Sequence, residues 1–145
     1  LHATRAAVEE GIVPGGGTAF IRAELAVQQL IDSGELKGDA LLGARVLLQA
    51  LPVPPRTIAN NAGFEGDVIL RRIRKAGRNV GFDCTKGEER DMFEAGIVDP
   101  TKVARSALQN AVSVACLLAS TDTLIANVPE DEDDEGMPGG MDEDF

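Results

Sequence analysis

The strongest structural signal in this sequence is a helix start at Asp99-Pro100, followed by an apolar run that reaches Ser120. Asp is favoured at helix N-caps, where its carboxylate accepts a hydrogen bond from a first-turn N–H, and Pro is favoured at the first helical position. Apolar residues then recur at helical spacing, and residues 111–119 keep almost no polar face. A helix that is apolar nearly all round is usually buried. The pattern therefore predicts a long helix over 100–120 at the centre of a packed domain.

The rest of the chain divides into shorter helical patterns separated by glycines and prolines. These patterns cover residues 1–10, 18–33, 39–51, 56–61, 67–75 and 88–95, with Thr18 and Asp39 as expected N-caps. Residues 79–85 are rich in β-formers, and residues 123–128 are typical of a single strand. The predicted fold class is mainly α: a helical bundle around one long buried helix, with one or two short β-strands or a hairpin.

The net charge of −10 is concentrated in the last segment of the sequence. Residues 129–145 hold nine acidic and no basic residues, which leaves 15 acidic and 14 basic residues elsewhere. The body lacks the basic patch that nucleic-acid binding needs. No apolar run reaches transmembrane length, and no signal-peptide pattern is present. The composition therefore predicts no nucleic-acid or membrane partner, and residues 129–145 are expected to be a disordered acidic tail.

Two places could carry chemistry. Three consecutive glycines, Gly15-Gly16-Gly17, precede a predicted helix, where exposed N–H groups can hold a phosphate or a flat ligand. A tight turn between helices explains the same residues. When only these residues are considered, the turn is the favoured interpretation. Asp99 could accept hydrogen bonds from ribose hydroxyls instead of, or in addition to, capping its helix.

The residue types of a catalytic or metal centre are not arranged in a recognisable way. His2 is the one histidine, no serine lies in a triad motif, and no Cys/His spacing suits a metal. Cys116 lies in the apolar run and is expected to act as a small buried hydrophobe. Cys84, between Asp83 and Lys86, could be activated as a thiolate, but an ordinary side chain beside a turn is the favoured interpretation.

Two long motifs resemble the group I chaperonins, the GroEL family. They are residues 1–19, LHATRAAVEEGIVPGGGTA, and residues 96–111, GIVDPTKVARSALQNA, with Val80-Gly81-Phe82-Asp83 in the expected place between them. The resemblance covers residues 1–128. The chain also lacks an initiator Met and opens within a helical pattern, so it is expected to be a piece of a longer subunit.

The resemblance implies a domain organisation and a nucleotide pocket. Residues 1–9 would end a helix of the intermediate domain, and residues 10–128 would be the C-terminal half of the equatorial ATP-binding domain. Backbone at Gly15 and Gly16 would approach the nucleotide, Asp83 and Cys84 would lie beside the base and ribose, and Asp99 would accept from the ribose hydroxyls. The cofactor would be ATP or ADP with Mg²⁺, whose metal and phosphate ligands lie in the missing N-terminal part.

The resemblance also implies partners and an activity. Identical subunits would form stacked seven-membered rings, while a co-chaperonin and non-native polypeptides would bind through an absent apical domain. The full-length protein would be an ATPase that couples hydrolysis to protein folding, whereas this fragment alone is predicted to be inactive. The expected location is bacterial cytoplasm, with mitochondrial matrix or plastid as alternatives. The competing hypothesis is a non-catalytic helical oligomerisation module that binds no nucleotide.

Overall fold

The computed structural model describes residues 1–123 and residue 125. Helices alternate with very short strands along these residues. The elements are α1 (His2–Glu10), β1 (Ile12–Pro14), α2 (Thr18–Asp32), α3 (Gly38–Ala50), α4 (Val53–Asn61), α5 (Gly66–Lys75), β2 (Val80–Asp83), β3 (Glu88–Asp91), β4 (Val98–Pro100) and α6 (Thr101–Ala119). The expected fold class, mainly helical with a few short strands, is confirmed.

Most helices lie within two residues of their predicted limits, but the expected caps are wrong. Gly17 is the N-cap of α2 and Lys37 is the N-cap of α3, and neither makes a side-chain capping bond. Thr18 and Asp39 lie instead inside the first turns. Helix α4 begins earlier than predicted because its prolines occupy the first turn, where a missing N–H is tolerated.

The four strands form two separate antiparallel pairs. Strand β2 pairs with β3, so the helix predicted over 88–95 is wrong: a hairpin partner overrides a local sequence that contains no strong β-former. Strand β1 pairs with β4, with Val13 opposite Asp99. Neither β1 nor β4 was expected from the sequence. Their pairing brings the start of the chain against the residues that lead into α6.

The apolar core lies between α2, α4, α5 and β2. Its buried members are Ile21, Ala59, Ile69, Leu70, Ile73 and Phe82. Phe64 closes one side, its ring edge-on to Phe82 with centroids 4.9 Å apart. The edge-to-face arrangement is the favoured geometry for such a pair.

The prediction that α6 is the buried central helix is wrong for this chain. None of its residues is buried, and Ala111–Ala119 are exposed throughout. Leu117 and Leu118, for example, are 66% and 59% exposed. Helix α6 contacts α1 and β4, which together cover only its N-terminal half. Cys116, expected to be buried, is exposed with it.

Ion pairs join α1 to the start of α6. Lys102 Nζ contacts the Glu9 carboxylate, and the Arg105 guanidinium binds Glu10 through two bonds of 2.6 and 3.1 Å. These bonds lower the pKa of Glu10 and raise those of Lys102 and Arg105. Helix α1 is thus attached to α6 by charge as well as by packing.

Two predictions concern the end of the chain. The acidic tail, residues 129–145, and most of the strand predicted over 123–128 lie outside the described residues. Within the described part, no helix is both long enough and apolar enough to cross a bilayer.

Candidate functional site

The three glycines form a turn between β1 and the start of α2. The N–H of Gly15 donates to the carbonyl of Ile97 at 2.9 Å, and the N–H of Thr18 donates to the carbonyl of Gly15 at 3.1 Å. Gly16 and Gly17 both have positive φ, +63° and +78°. The favoured interpretation, a tight turn, describes this segment, although the turn joins a strand to a helix rather than two helices.

Glycine is also required here because two other segments of the same chain pass close to the turn. A Cβ on Gly15 would lie 3.0 Å from the carbonyl carbon of Ile97, and one on Gly17 would lie 2.7 Å from the Pro55 side chain. Both distances are shorter than ordinary carbon contacts. Gly15 and Gly17 are therefore packed against protein, and Gly16 is the half-buried member of the three.

Met92 connects the glycine turn to β2. Its side chain is fully buried, and its methyl carbon lies 3.3 Å from where a Cβ on Gly16 would stand. Its Cγ and Sδ lie 2.8 Å from the equivalent position on Gly81 in β2. The Thr18 hydroxyl lies 2.2 Å from that same position and is buried without a hydrogen-bond partner among the described residues. Strand β2 thus packs directly onto the turn because Gly81 has no side chain.

The structure places Asp99 in β4 and not at a helix cap. The N-cap of α6 is Pro100, which makes no side-chain bond, so the predicted capping role is wrong. The competing element is the β1–β4 ladder, which holds Asp99 extended opposite Val13. The half-buried Asp99 carboxylate makes no hydrogen bond or ion pair with another described residue.

The Asp83 carboxylate is hydrogen-bonded within its own turn. It is 5% exposed, and Oδ1 accepts the N–H groups of Thr85 and Lys86 at 2.9 and 3.3 Å. Oδ2 lies 3.5 Å from Arg90 Nη1. Burial acts to raise the pKa of Asp83, but the two backbone bonds and the guanidinium outweigh it and leave the pKa lowered. Asp83 is therefore held as a carboxylate that closes the β2–β3 turn.

Cys84 packs beside the apolar core and is half-buried. Burial and the neighbouring Asp83 charge raise the pKa of its thiol. The structure thus agrees with the ordinary interpretation and gives no thiolate activation.

The five candidate residues are brought toward one region from three parts of the chain. Gly15 is bonded to Ile97, two residues before Asp99, and the Gly16 position lies 3.8 Å from the Phe82 carbonyl, one residue before Asp83. Among the described residues, no cluster of His, Cys, Asp and Glu could hold a metal ion. The arrangement can offer a ligand glycine backbone and the Asp99 carboxylate, which makes no bond to another described residue.

A second feature was missed from the sequence. A cleft of about 460 Å³ lies beside β1, with Arg22, Arg78 and Asn79 among its lining residues. Arg22 donates to the carbonyls of Gly77, Arg78 and Val80 at 2.7 to 3.0 Å, and its burial lowers its pKa. No local pattern marks Arg22, because its acceptors lie far away in sequence, on the segment that leads into β2 and on the first residue of β2.

The comparisons with a family model and with solved structures all match chaperonins. The family model described as the TCP-1/cpn60 chaperonin family matches residues 1–129. The crystal structure of a group III chaperonin in the open state is similar with a TM-score of 0.73 and 36% identity, covering 83% of this chain and 25% of the other. An open-state monomer of a group II chaperonin from Methanococcoides burtonii is similar with a TM-score of 0.73 and 26% identity, covering 80% of this chain and 30% of the other. The chain thus spans less than a third of the length of each of these two solved chains.

Proposed function

The chain belongs to the TCP-1/cpn60 chaperonin family, and from this membership we propose that it is part of an ATP-dependent protein-folding chaperonin. Residues 1–9 would end the intermediate-domain helix, and residues 10–128 would form the C-terminal half of the equatorial domain. The observation that carries the proposal is the attachment of the glycine turn to the segment before Asp99. This attachment unites the two motifs that resemble the family.

The group within the family is a separate part of the proposal. The two solved structures above belong to groups III and II. Group I is proposed from the motifs at 1–19 and 96–111. The full-length protein would form stacked seven-membered rings of identical subunits in the bacterial cytoplasm, and a co-chaperonin and non-native polypeptides would bind its apical domain.

The proposed role of this segment is to bind the base and ribose side of the nucleotide. Asp99 is the best-placed polar group, since it is half-buried and makes no bond to another described residue. Ribose hydroxyls are donors that suit a free carboxylate. Gly16 would let the nucleotide approach the backbone closely, because no side chain stands there.

Asp83 and Cys84 would form the wall beside the base. The bonds of Asp83 within its own turn mean that its side chain would shape the wall and leave nucleotide contacts to neighbouring backbone. ATP supplies the phosphoryl group when it is bound to the complete site. Phosphate clamps, Mg²⁺ ligands and an oriented water are also required for hydrolysis, and they would come from the N-terminal part.

The proposal accounts for the exposed half of α6. Residues 111–119 are too apolar for a helix that stays in water, and a contiguous apolar patch of this kind marks a surface that another element covers. In the full-length subunit the missing half of the equatorial domain would cover it. The expectation of a buried helix would then hold for the complete subunit.

ADP binding to the full-length subunit tests the ribose role. Asp99→Asn removes the charge and keeps one acceptor oxygen, so we expect calorimetry to show ADP affinity reduced by about 10-fold or more, as for loss of a charged hydrogen bond. Asp39→Asn, the same change at an exposed position in α3, is the control and should leave affinity unchanged. Equal affinity of Asp99→Asn and the parent protein would exclude the ribose role. The isolated 145-residue chain should show no ATP turnover above a no-protein control.

The exposed apolar face of α6 also favours a second candidate function, a helical oligomerisation module that binds no nucleotide. Sedimentation and ADP calorimetry on the full-length subunit distinguish the two. Nucleotide binding supports the chaperonin proposal, whereas self-association without any ADP binding supports the module.

A further inference from the structure

Arg22 joins helix α2 to the segment that leads into β2. Its Nε donates to the carbonyl of Arg78 at 2.9 Å, and its Nη2 donates to the carbonyls of Gly77 and Val80 at 2.7 and 3.0 Å. Nε carries one N–H and Nη2 carries two, so these bonds use every donor on those two nitrogens. A lysine could not reproduce this fork, because all of its donors lie on one atom.

The Arg22 guanidinium is bonded to backbone rather than to an acid. In the part of the chain that the structure describes, no carboxylate forms an ion pair with Arg22, whereas Arg74 on α5 is paired with Glu24. Arg22 is half-buried, and its burial lowers its pKa. A partly buried charge without an opposite charge beside it needs its hydrogen bonds to be made. The three carbonyls therefore determine where this side chain can lie.

A closed cycle of contacts starts and ends at Arg22. Between its acceptors, the carbonyl of Asn79 accepts the N–H of Met92 at 3.0 Å, and the carbonyl of Met92 accepts the N–H of Ile97 at 2.8 Å. The carbonyl of Ile97 accepts the N–H of Gly15 at 2.9 Å, and Gly15 begins the turn into α2, the helix that carries Arg22. The cycle joins the three segments that hold the candidate nucleotide residues.

The Met92 side chain fills the space inside this cycle. It is fully buried and lies against the positions where a Cβ on Gly16 or Gly81 would stand, at 3.3 and 2.8 Å. Closely packed interiors transmit displacement from one element to the next. If the bonds of Arg22 are lost, movement of β2 is therefore passed to the glycine turn and to the segment before Asp99.

We propose that Arg22 is a positioning residue for the nucleotide site: by holding residues 77–80 against α2, it fixes the separation between the glycine turn, β2 and Asp99. This inference rests on the function proposed above. Arg22 itself would not touch the nucleotide, since it lines the cleft beside β1, and none of the five candidate nucleotide residues lines that cleft. A binding site depends on such supporting residues because small displacements of its groups weaken their contacts.

ADP calorimetry on the full-length subunit tests this inference. Arg22→Gln removes the fork, so we expect ADP affinity to fall roughly 3- to 10-fold, as for residues that act on a site through others. Arg22→Lys should reduce the affinity less, because its ammonium can still reach some of the carbonyls. If circular dichroism shows that Arg22→Gln has lost helix content, Arg22→Lys carries the test.

Arg74→Gln is the matched control. Arg74 binds Glu24 through two bonds of 3.0 and 2.8 Å and so also joins α2 to a neighbouring element, but outside the cycle. We expect Arg74→Gln to be less stable in urea and to keep the ADP affinity of the parent. Hydrogen–deuterium exchange without nucleotide is a second measurement: Arg22→Gln should increase deuterium uptake in peptides covering residues 11–17 and 92–99, and Arg74→Gln should not.

Three results would each overturn the inference about Arg22: parent-like ADP affinity in both Arg22 variants, an equal loss of affinity in Arg74→Gln, or unchanged deuterium uptake in the two segments of Arg22→Gln. If Asp99→Asn still weakens ADP binding in the same experiment, the proposed function stands and only the role of Arg22 is wrong. A parent subunit that binds no ADP would instead overturn the proposed function, and the role of Arg22 with it.

Discussion

The backbone N–H of Gly15 donates to the carbonyl oxygen of Ile97 at 2.9 Å, which fastens the glycine turn to the segment leading into β4. This one bond extends the β1–β4 pairing by a residue and sets the position of Asp99 relative to the turn. The two most distinctive motifs of the sequence are thus parts of one local structure.

Gly17→Ala should destabilise the protein much more than Gly34→Ala. Both glycines have positive φ, +78° and +75°, so both substitutions incur the left-handed strain of about 1–2 kcal/mol. Only Gly17 has a neighbour in the way, since its Cβ would lie 2.7 to 2.9 Å from Pro55. Overpacking adds about 1–3 kcal/mol to the loss of unfolding free energy. Urea denaturation measures the unfolding free energy of both variants. Equal losses of this free energy would show that Pro55 shifts without destabilising the protein.

Asp99→Ala should leave α6 intact. Loss of a capping carboxylate costs about 1 kcal/mol, but Asp99 caps nothing here, so we expect an unfolding free energy within about 0.5 kcal/mol of the parent. Asn60→Ala is the positive control, because Asn60 Oδ1 accepts the N–H of Gly66 at 2.9 Å and its loss should cost about 1 kcal/mol. A loss for Asp99→Ala as large as that for Asn60→Ala would contradict the structure.

Asp83 should make stability depend on pH in the acid range. Its folded-state pKa lies below that of an unfolded Asp, about 3.9, so the folded state is stabilised above that pH and loses the contribution as pH falls through the folded-state pKa. Asp83→Asn keeps an acceptor for Thr85 but removes the charge facing Arg90. We therefore expect the variant to be less stable than the parent at pH 7 and the difference to shrink below about pH 4.

Thermal unfolding between pH 7 and pH 2 measures this difference. The exposed Glu94→Gln change is the control and should show no comparable pH dependence. If Asp83→Asn is less stable than the parent by the same amount at every pH, the carboxylate charge contributes nothing to stability.

The two cysteines should react at different rates with a disulfide reagent at pH 8. Cys116 is exposed, whereas Cys84 is half-buried with a raised pKa, so less of it is thiolate. Cys116→Ser should remove the fast phase and Cys84→Ser the slow one. In the full-length subunit, the covering of α6 under the chaperonin proposal would protect Cys116. Two equally fast thiols in the isolated chain would contradict the structural difference between these sites.

The sequence predicted those elements whose signals are local. Helices α1, α2, α5 and α6 follow from apolar periodicity with glycine or proline at their ends. Strands β1 and β4 have three residues each, include prolines, and depend on a partner at the other end of the chain, so no local pattern marks them. For the same reason the cap assigned to Asp99 was wrong, since pairing with β1 moved the helix start one residue along.

The candidate site was predictable in position more than in detail. The sequence singled out Gly15, Gly16 and Asp99 as candidates, and the β1–β4 ladder brings their segments together, but their contact with a nucleotide stays a prediction. The engagement of Asp83 with Arg90 depends on the register of β2 and β3, which the sequence does not reveal. The apolar character of α6 was evident, but periodicity does not say which part of a protein covers an apolar helix.

The β1–β4 pairing makes this chain close on itself, with consequences for the order of folding. Contacts among α2, α4, α5 and the β2–β3 hairpin join residues that are nearer in sequence, whereas β1 and β4 enclose all of residues 15–97. Non-local contacts form slowly because the entropy of closing the loop must be lost first. The amides of Gly15 and Thr101 have their acceptors on the opposite strand or beside it, so they should exchange with solvent whenever β1 and β4 separate. The amides of α5 should exchange only when the core itself opens.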